Sequence, residues 1–177
     1  MPFSILAEDG PARVGMLETP RGPGETPVFM PVATQASVKA ISQEDLTKLG
    51  TKALLSNSYH LYLRPGTELI KAAGGLHKFM NYDGMILTDS GGFQVLSMSE
   101  LRKVDDEGVT FRSHIDGSEH RLTAEKVIEV QSELGSDCWT TLDECPPYPS
   151  TEAQAEQALK RTMTWTDRSV AALAKNG

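Results

Sequence analysis

The stretch Ile86-Leu87-Thr88-Asp89-Ser90-Gly91-Gly92-Phe93-Gln94-Val95 decides how this chain folds. A short apolar run ends in an aspartate, and a glycine pair follows at once. Runs of this length read as buried strands, and two glycines directly after one read as a tight turn. The carboxylate of Asp89 therefore stands at a strand exit, with small residues leaving room beside it. In parallel α/β architectures that is where ligands bind and chemistry is done. Cys138-Trp139-Thr140-Thr141-Leu142 repeats the arrangement, with Asp143 at its exit. Two carboxylates at neighbouring strand exits make a candidate pocket.

The rest of the chain supplies the matching helices. Ser42-Gln43-Glu44-Asp45 has the S-x-x-D form of a capping box, with Leu46 and Leu49 on one helical face and Gly50 as the stop. Ala53-Leu54-Leu55-Ser56-Asn57 is a strand, and Pro65-Gly66 leads into a helix carrying Leu69, Ile70 and Ala73, closed by Gly74. Thr123 caps a helix with Val127, Val130 and Leu134 on one side and Gly135 at its end. Thr151 with Gln154 is a T-x-x-Q box for a last helix to about Lys175, whose inner stripe is expected to be Leu159, Met163, Val170 and Leu173. Val28-Phe29-Met30-Pro31-Val32 is a further candidate strand, weakened by Pro31. Four β-α units in sequence imply a parallel sheet. A full barrel needs about 250 residues, so 177 residues make half of an eight-fold barrel or a small doubly wound sheet.

Two segments stand outside that rhythm. Residues 3–18 read as a β-hairpin around Glu8-Asp9-Gly10-Pro11, followed by a loop over Pro20-Arg21-Gly22-Pro23-Gly24. The region from Ser97 to His120 reads as an inserted hairpin, built on Val109-Thr110-Phe111-Arg112 and His114-Ile115-Asp116-Gly117.

Composition sets the background. The chain is 39% hydrophobic and 23% charged, ordinary for a soluble globular protein. No apolar run approaches the roughly 18 residues of a membrane span, and the N-terminus has neither the basic nor the apolar region of a signal peptide. Two cysteines are too few for a disulfide framework, so a cytoplasmic location is expected. The net charge of −7 argues, taken alone, against nucleic-acid binding. Lys39, Arg64, Arg102, Lys103 and Arg112 are scattered, and ordinary surface charge accounts for them as well as a basic face does.

For each candidate residue a structural reading stands beside the functional one. Asp89 has no basic residue within five positions, so its carboxylate needs partners from elsewhere or its pKa rises. Alternatively it caps the turn through the amides of Gly91 or Gly92. Cys145, in Asp143-Glu144-Cys145-Pro146-Pro147-Tyr148, is a nucleophile only if a base accompanies it. Without one it is a small buried thiol lining a pocket, and no base is evident. Core or turn roles suit Asn57 and His60 as well as substrate contact does. His60, His77, His114 and His120 form no metal-ligand spacing with the cysteines, so no metal site is expected in this chain.

Four segments together resemble one family. They are Asn57-Ser58-Tyr59-His60-Leu61-Tyr62-Leu63-Arg64-Pro65-Gly66, Thr88-Asp89-Ser90-Gly91-Gly92-Phe93-Gln94, Phe111-Arg112-Ser113-His114-Ile115-Asp116-Gly117-Ser118 and Leu142-Asp143-Glu144-Cys145-Pro146-Pro147-Tyr148-Pro149. In this order they resemble the tRNA-guanine transglycosylases of the bacterial type, the queuine tRNA-ribosyltransferases. The likeness covers essentially the whole chain. It implies the first half of a (β/α)8 TIM barrel, with an N-terminal β-hairpin over 1–20, four β-α units over 28–177, and a β-hairpin insertion after the third strand. It also implies exchange of an anticodon-loop guanine of tRNA for a 7-deazaguanine base, and a homodimer in the full-length form.

By position, Asp89 matches the family's proton acceptor in base exchange. Ser90, Gly91, Gly92 and Phe93 match the loop against the bound base, with Phe93 as stacking face. Asp143 matches the carboxylate that holds the donor edge of guanine. That fits, because an ionised aspartate is acceptor-only. Cys145 matches a pocket residue near the substituent of the incoming base, and Asn57 one that orients the nucleophile. The family's nucleophilic aspartate and its structural zinc site fall beyond residue 177, so the chain alone is expected to be inactive. Two other classes stay open: a non-catalytic half that binds RNA or a partner subunit, and an unrelated glycoside hydrolase with two carboxylates.

Overall fold

A computed structural model describes residues 2–98 and 102–176. Residues 1, 99–101 and 177, which belong to the N-terminal, insertion and last-helix segments read from the sequence, lie outside the described residues.

The N-terminus is a three-stranded antiparallel sheet, β1 (Phe3–Asp9), β2 (Ala12–Thr19) and β3 (Gly22–Thr26), in that order. The expected hairpin is thus extended by a strand where the sequence suggested a loop. Gly22-Pro23-Gly24 has poor strand propensity, but an edge strand tolerates a proline whose missing N–H faces away from its neighbour. The turn into β3 is tied by Thr19, whose hydroxyl donates to Gly22 O at 2.7 Å.

The expected strand Val28–Val32 shrinks to one parallel bridge, Val32 to Leu55. Pro31 O accepts from Leu55 N at 3.0 Å, but Pro31 has no N–H with which to continue a ladder. Helix α1 (Gln43–Lys48) follows, with the Ser42–Asp45 capping box formed in both directions. Leu46 is buried beneath it, whereas Leu49 is the C-cap and is exposed, contrary to the pairing expected from spacing.

After β4 (Ala53–Asn57) come three short helices instead of one, α2 (Ser58–Leu63), α3 (Thr67–Ala72) and α4 (Leu76–Met80). The breaks fall at Arg64-Pro65-Gly66 and Gly74-Gly75, where all three glycines have positive φ. Strand β5 (Met85–Asp89) then leads directly into α5 (Gly92–Met98).

The insertion is a three-stranded meander, β6 (Arg102–Asp105), β7 (Gly108–Arg112) and β8 (Glu119–Thr123), not a hairpin. His114–Gly117, expected as a strand, is the turn. Asp116 stops the chain there by accepting from the backbone N–H and the hydroxyl of Ser118 at 3.1 and 2.7 Å. Thr123 caps α6 (Ala124–Leu134), and Gly135 closes it in the left-handed region, as the sequence suggests.

Strand β9 (Cys138–Trp139) is two residues long, not five, and lies beside β5. The parallel sheet therefore runs β4-β5-β9. The last helix, α7 (Glu152–Asn176), begins at the Thr151–Gln154 box. Although α7 is long, no described helix is long and apolar enough to cross a membrane.

Two apolar clusters hold these layers together. One packs Leu54 and Ile86 of the sheet against Leu46, Ile70, Leu76, Val130 and Leu134 of the helices. The other lies under the insertion and joins Tyr59, Val95, Phe111, Val127, Leu142 and Trp165. The inner stripe of α7 is Ala158, Trp165, Ser169 and Ala172. The expected stripe of Leu159, Met163, Val170 and Leu173 is instead 47–62% exposed. Arg161 of α7 bridges the insertion and the segment after β9, pairing with Asp106 at 2.9 Å and Glu144 at 3.1 Å.

Along β5, Ile86 and Thr88 point into the helical layer and are buried, while Met85, Leu87 and Asp89 share the other face and are half-buried. The alternation is the strand's period of two. It places Asp89 on the face opposite the helices.

Candidate active site

Register brings the first pair together. Parallel pairing sets Asn57 beside Asp89, and their side chains meet at the C-terminal edge of the sheet. The Asn57 amide donates to Asp89 Oδ2 at 2.7 Å. Its oxygen caps α2 by accepting from His60 N at 3.3 Å, which fixes which end of the amide faces the carboxylate. Asn57 thus holds the Asp89 carboxylate with one end of its amide and the start of α2 with the other.

Asp89 Oδ1 accepts from Gly91 N at 2.6 Å, so the turn-capping reading holds for one oxygen. The Ser58 hydroxyl donates to the Asp89 carbonyl and anchors the strand end. A carboxylate offers about four lone-pair sites, so capacity remains for a ligand proton. Burial pushes the Asp89 pKa up. The Gly91 and Asn57 hydrogen bonds pull it down, the negative charge of Asp143 adds to the rise, and the result is a net rise. Burial, and next repulsion from His114, push the neighbouring His60 down.

Asp143 sits opposite. Its Oδ1 accepts from Ser90 Oγ at 3.1 Å and its Oδ2 from the Cys145 thiol at 3.1 Å. Burial and the adjoining Asp143 raise the Cys145 pKa to about 12. A thiol held that high stays protonated at neutral pH. That makes it a donor to Asp143 and a poor nucleophile. Among the described residues no group of three or more His, Cys, Asp or Glu could hold a metal ion.

The glycines are dictated by the close approach of their neighbours. Gly91 has φ +83°, and a Cβ there would lie 2.5 Å from Tyr59 Cβ. A Cβ on Gly92 would lie 2.5 Å from both the backbone O and Oδ1 of Asp143. Gly92→Ala is therefore expected to cost about 1–3 kcal/mol by overpacking and to push Asp143 away from Ser90. An unchanged melting temperature would show that α5 and the Asp143 segment can separate freely.

Asp89, Ser90, Phe93, Thr140, Thr141 and Asp143 line one cleft of about 330 Å³. Phe93, on the first turn of α5, is 59% exposed at its rim, where a planar ligand can lie against the ring. Asp143 and Cys145 also border a second cavity of about 150 Å³, walled by Val95, Val104, Val109 and Trp165. The structure thus gathers Asp89, Ser90, Phe93 and Asp143 around one space, with Asn57, Gly91, Gly92 and Cys145 supporting them. Sequence reading missed Ser58, Thr140 and Thr141. Their only signal was adjacency to Asn57 and Asp143.

Similarity to known proteins adds to this geometry. A protein family described as queuine tRNA-ribosyltransferase matches residues 8–177. The queuine tRNA-ribosyltransferase of Desulforudis audaxviator (strain MP104C) is 56% identical over 177 residues, 99% of this chain and 48% of that protein. The one from Thermoanaerobacter sp. (strain X514) is 59% identical over 157 residues, 89% of this chain and 42% of that protein. The one from Thermodesulfovibrio yellowstonii (strain ATCC 51303 / DSM 11347 / YP87) is 54% identical over 168 residues, 95% and 44% respectively. The chain spans less than half the length of these curated relatives.

Proposed function

Since the chain belongs to the queuine tRNA-ribosyltransferase family, we propose that it forms the base pocket of an enzyme exchanging an anticodon-loop guanine of tRNA for a 7-deazaguanine. The observation that carries this reading is the pair of carboxylates, Asp89 at the end of β5 and Asp143 on the irregular segment that follows β9, facing one 330 Å³ cleft. The parallel sheet with Val32 at its edge is then the first half of a (β/α)8 barrel, as one portion of a single domain. Residues 1–20 precede the four β-α units of 28–177, and the whole protein is a cytoplasmic homodimer.

The chemistry follows from donors and acceptors. The N1–H and N2–H₂ groups of guanine are donors, and Asp143 presents acceptors held in place by Ser90 and Cys145. Phe93 covers the face of the base. Exchange at ribose C1′ is a double displacement. A carboxylate attacks C1′, the C1′–N9 bond breaks and guanine leaves with the bonding pair. The incoming base then displaces the carboxylate from C1′ after giving up its N9 proton, and the expelled guanine anion takes up a proton in exchange. Anions stabilise the oxocarbenium-like state between. Asp89 takes the N9 proton, and its raised pKa brings it closer to neutral pH, where a general base works best. The target nucleotide must leave its stack, which a loop nucleotide does at lower cost than a paired one. The attacking carboxylate and the family's zinc ligands lie in the part of the longer protein outside these 177 residues.

Asp143→Asn in a protein of the relatives' full length is the direct test. An amide offers one acceptor and one misplaced donor to a donor edge. Guanine affinity is expected to fall about a hundredfold or more, while affinity for tRNA changes little. Unchanged affinity for free guanine would remove Asp143 from the pocket.

A further inference from the structure

One fully buried polar side chain has no part in the scheme above. Gln131 lies on the inner face of α6 among Ala124, Val127, Ile128 and Leu134, and none of its surface is exposed. Burying an amide in an apolar stripe is costly unless its donors and acceptor are used. Here they are used on the ends of two strands. Gln131 Oε1 accepts from Thr88 Oγ1 at 2.9 Å and from Thr140 N at 3.2 Å. Its Nε2 donates to Thr140 O at 2.9 Å and to Val127 O of its own helix at 3.3 Å. One side chain therefore grips both backbone polar groups of Thr140.

That grip stands where a sheet ladder has stopped. Strand β9 ends at Trp139, and the one further bond toward β5, from Thr140 N to Thr88 O, is long at 3.3 Å. Residues 140–143 are the irregular wall of the cleft opposite Asp89. At the far end of that wall Glu144 N donates to Thr162 Oγ1 at 2.9 Å. Between these two anchors Asp143 presents its carboxylate.

We propose that Gln131 is a positioning residue for base recognition. By holding Thr140 it sets the distance of the Thr140–Asp143 wall from Asp89, without touching the ligand. The inference rests on the reading of Asp143 as the residue that binds the base edge. Asp89 is oriented separately, by Asn57 and Gly91. Thr88 keeps a second partner in Ser136 Oγ at 2.7 Å. Loss of Gln131 therefore loosens one wall and leaves the proton acceptor in place.

The test is steady-state guanine exchange by a protein of the relatives' full length, as wild type, Gln131→Met and Thr88→Val/Gln131→Met, with melting temperatures alongside. Gln131→Met is expected to raise KM for guanine about tenfold or more, because small misplacements of a binding group are costly, with kcat within about threefold. The double variant removes both partners of the buried Thr88–Gln131 bond. Because Thr88→Val also leaves Ser136 Oγ without its Thr88 partner, the double variant is expected to recover only part of the melting temperature lost in the single variant. Its KM stays high because only the long backbone bond to Thr88 O still ties Thr140 to β5. If Gln131→Met does not fold, the double variant alone carries the comparison with wild type. Wild-type KM in Gln131→Met, or a double variant that restores KM together with stability, would make Gln131 a packing residue only. A wild type that exchanges no guanine would instead sink the reading of Asp143, and this inference with it.

Discussion

Asp89→Asn, in a protein of the relatives' full length, is expected to lower guanine exchange about a thousandfold, within the range general-base catalysis supplies. Its stability is expected to change by no more than about 1 kcal/mol. An asparagine keeps one oxygen for Gly91 N but turns an amide toward the Asn57 amide, so one hydrogen bond is lost. Removal of a buried charge offsets that loss. The pH dependence gives an independent readout. The pKa of Asp89 is raised in the folded protein, chiefly by burial, so the folded state holds this proton more tightly than the unfolded chain does. The resulting stabilisation is fully present below the unfolded pKa and is lost as pH rises through the folded one. Wild type should gain stability over Asp89→Asn on acidification through that window. Exchange should rise with pH through the same window, as the acceptor ionises. Several kcal/mol of lost stability with exchange retained would mean that Asp89 serves the fold alone.

The 177-residue chain by itself is expected to exchange no guanine and to self-associate. One carboxylate cannot both attack C1′ and take the proton of the incoming base. Asp143 is committed to Ser90 and Cys145. Association follows from what the fold leaves open. Leu159, Met163, Val170 and Leu173 form an exposed apolar stripe along α7, and Phe29 and Val32 are exposed beside β4. Among the described residues no strand pairs with the far edge of β9. Open sheet edges and apolar patches drive pairing with another chain. Sedimentation and labelled-guanine exchange on the purified chain check both statements. A monodisperse, cooperatively melting monomer contradicts association, and measurable exchange contradicts the missing nucleophile.

What the sequence by itself determined is local. The Ser42–Asp45 and Thr151–Gln154 boxes, the Thr123 cap and the Gly135 stop were legible because each interaction closes within four residues. Strands β4 and β5 were legible because a short apolar run has few other uses, and their exits located Asp89 and Asn57. Tertiary structure decided what depends on distant partners. Two stripes at helical spacing compete along α7, and hydrophobicity favours the one that is exposed. The buried stripe of Ala158, Trp165, Ser169 and Ala172 wins because small residues beside one large ring let α7 seat closely against α6 and the insertion. Strand β8, Glu119–Thr123, was invisible because its ladder partner, β7, and not its own polar sequence, makes it a strand. Asn57 meets Asp89 through parallel register, and Ser90 meets Asp143 across 53 positions of chain. Hydrogen bonds between residues so far apart leave no periodicity to read. They exist only once the sheet has set the register.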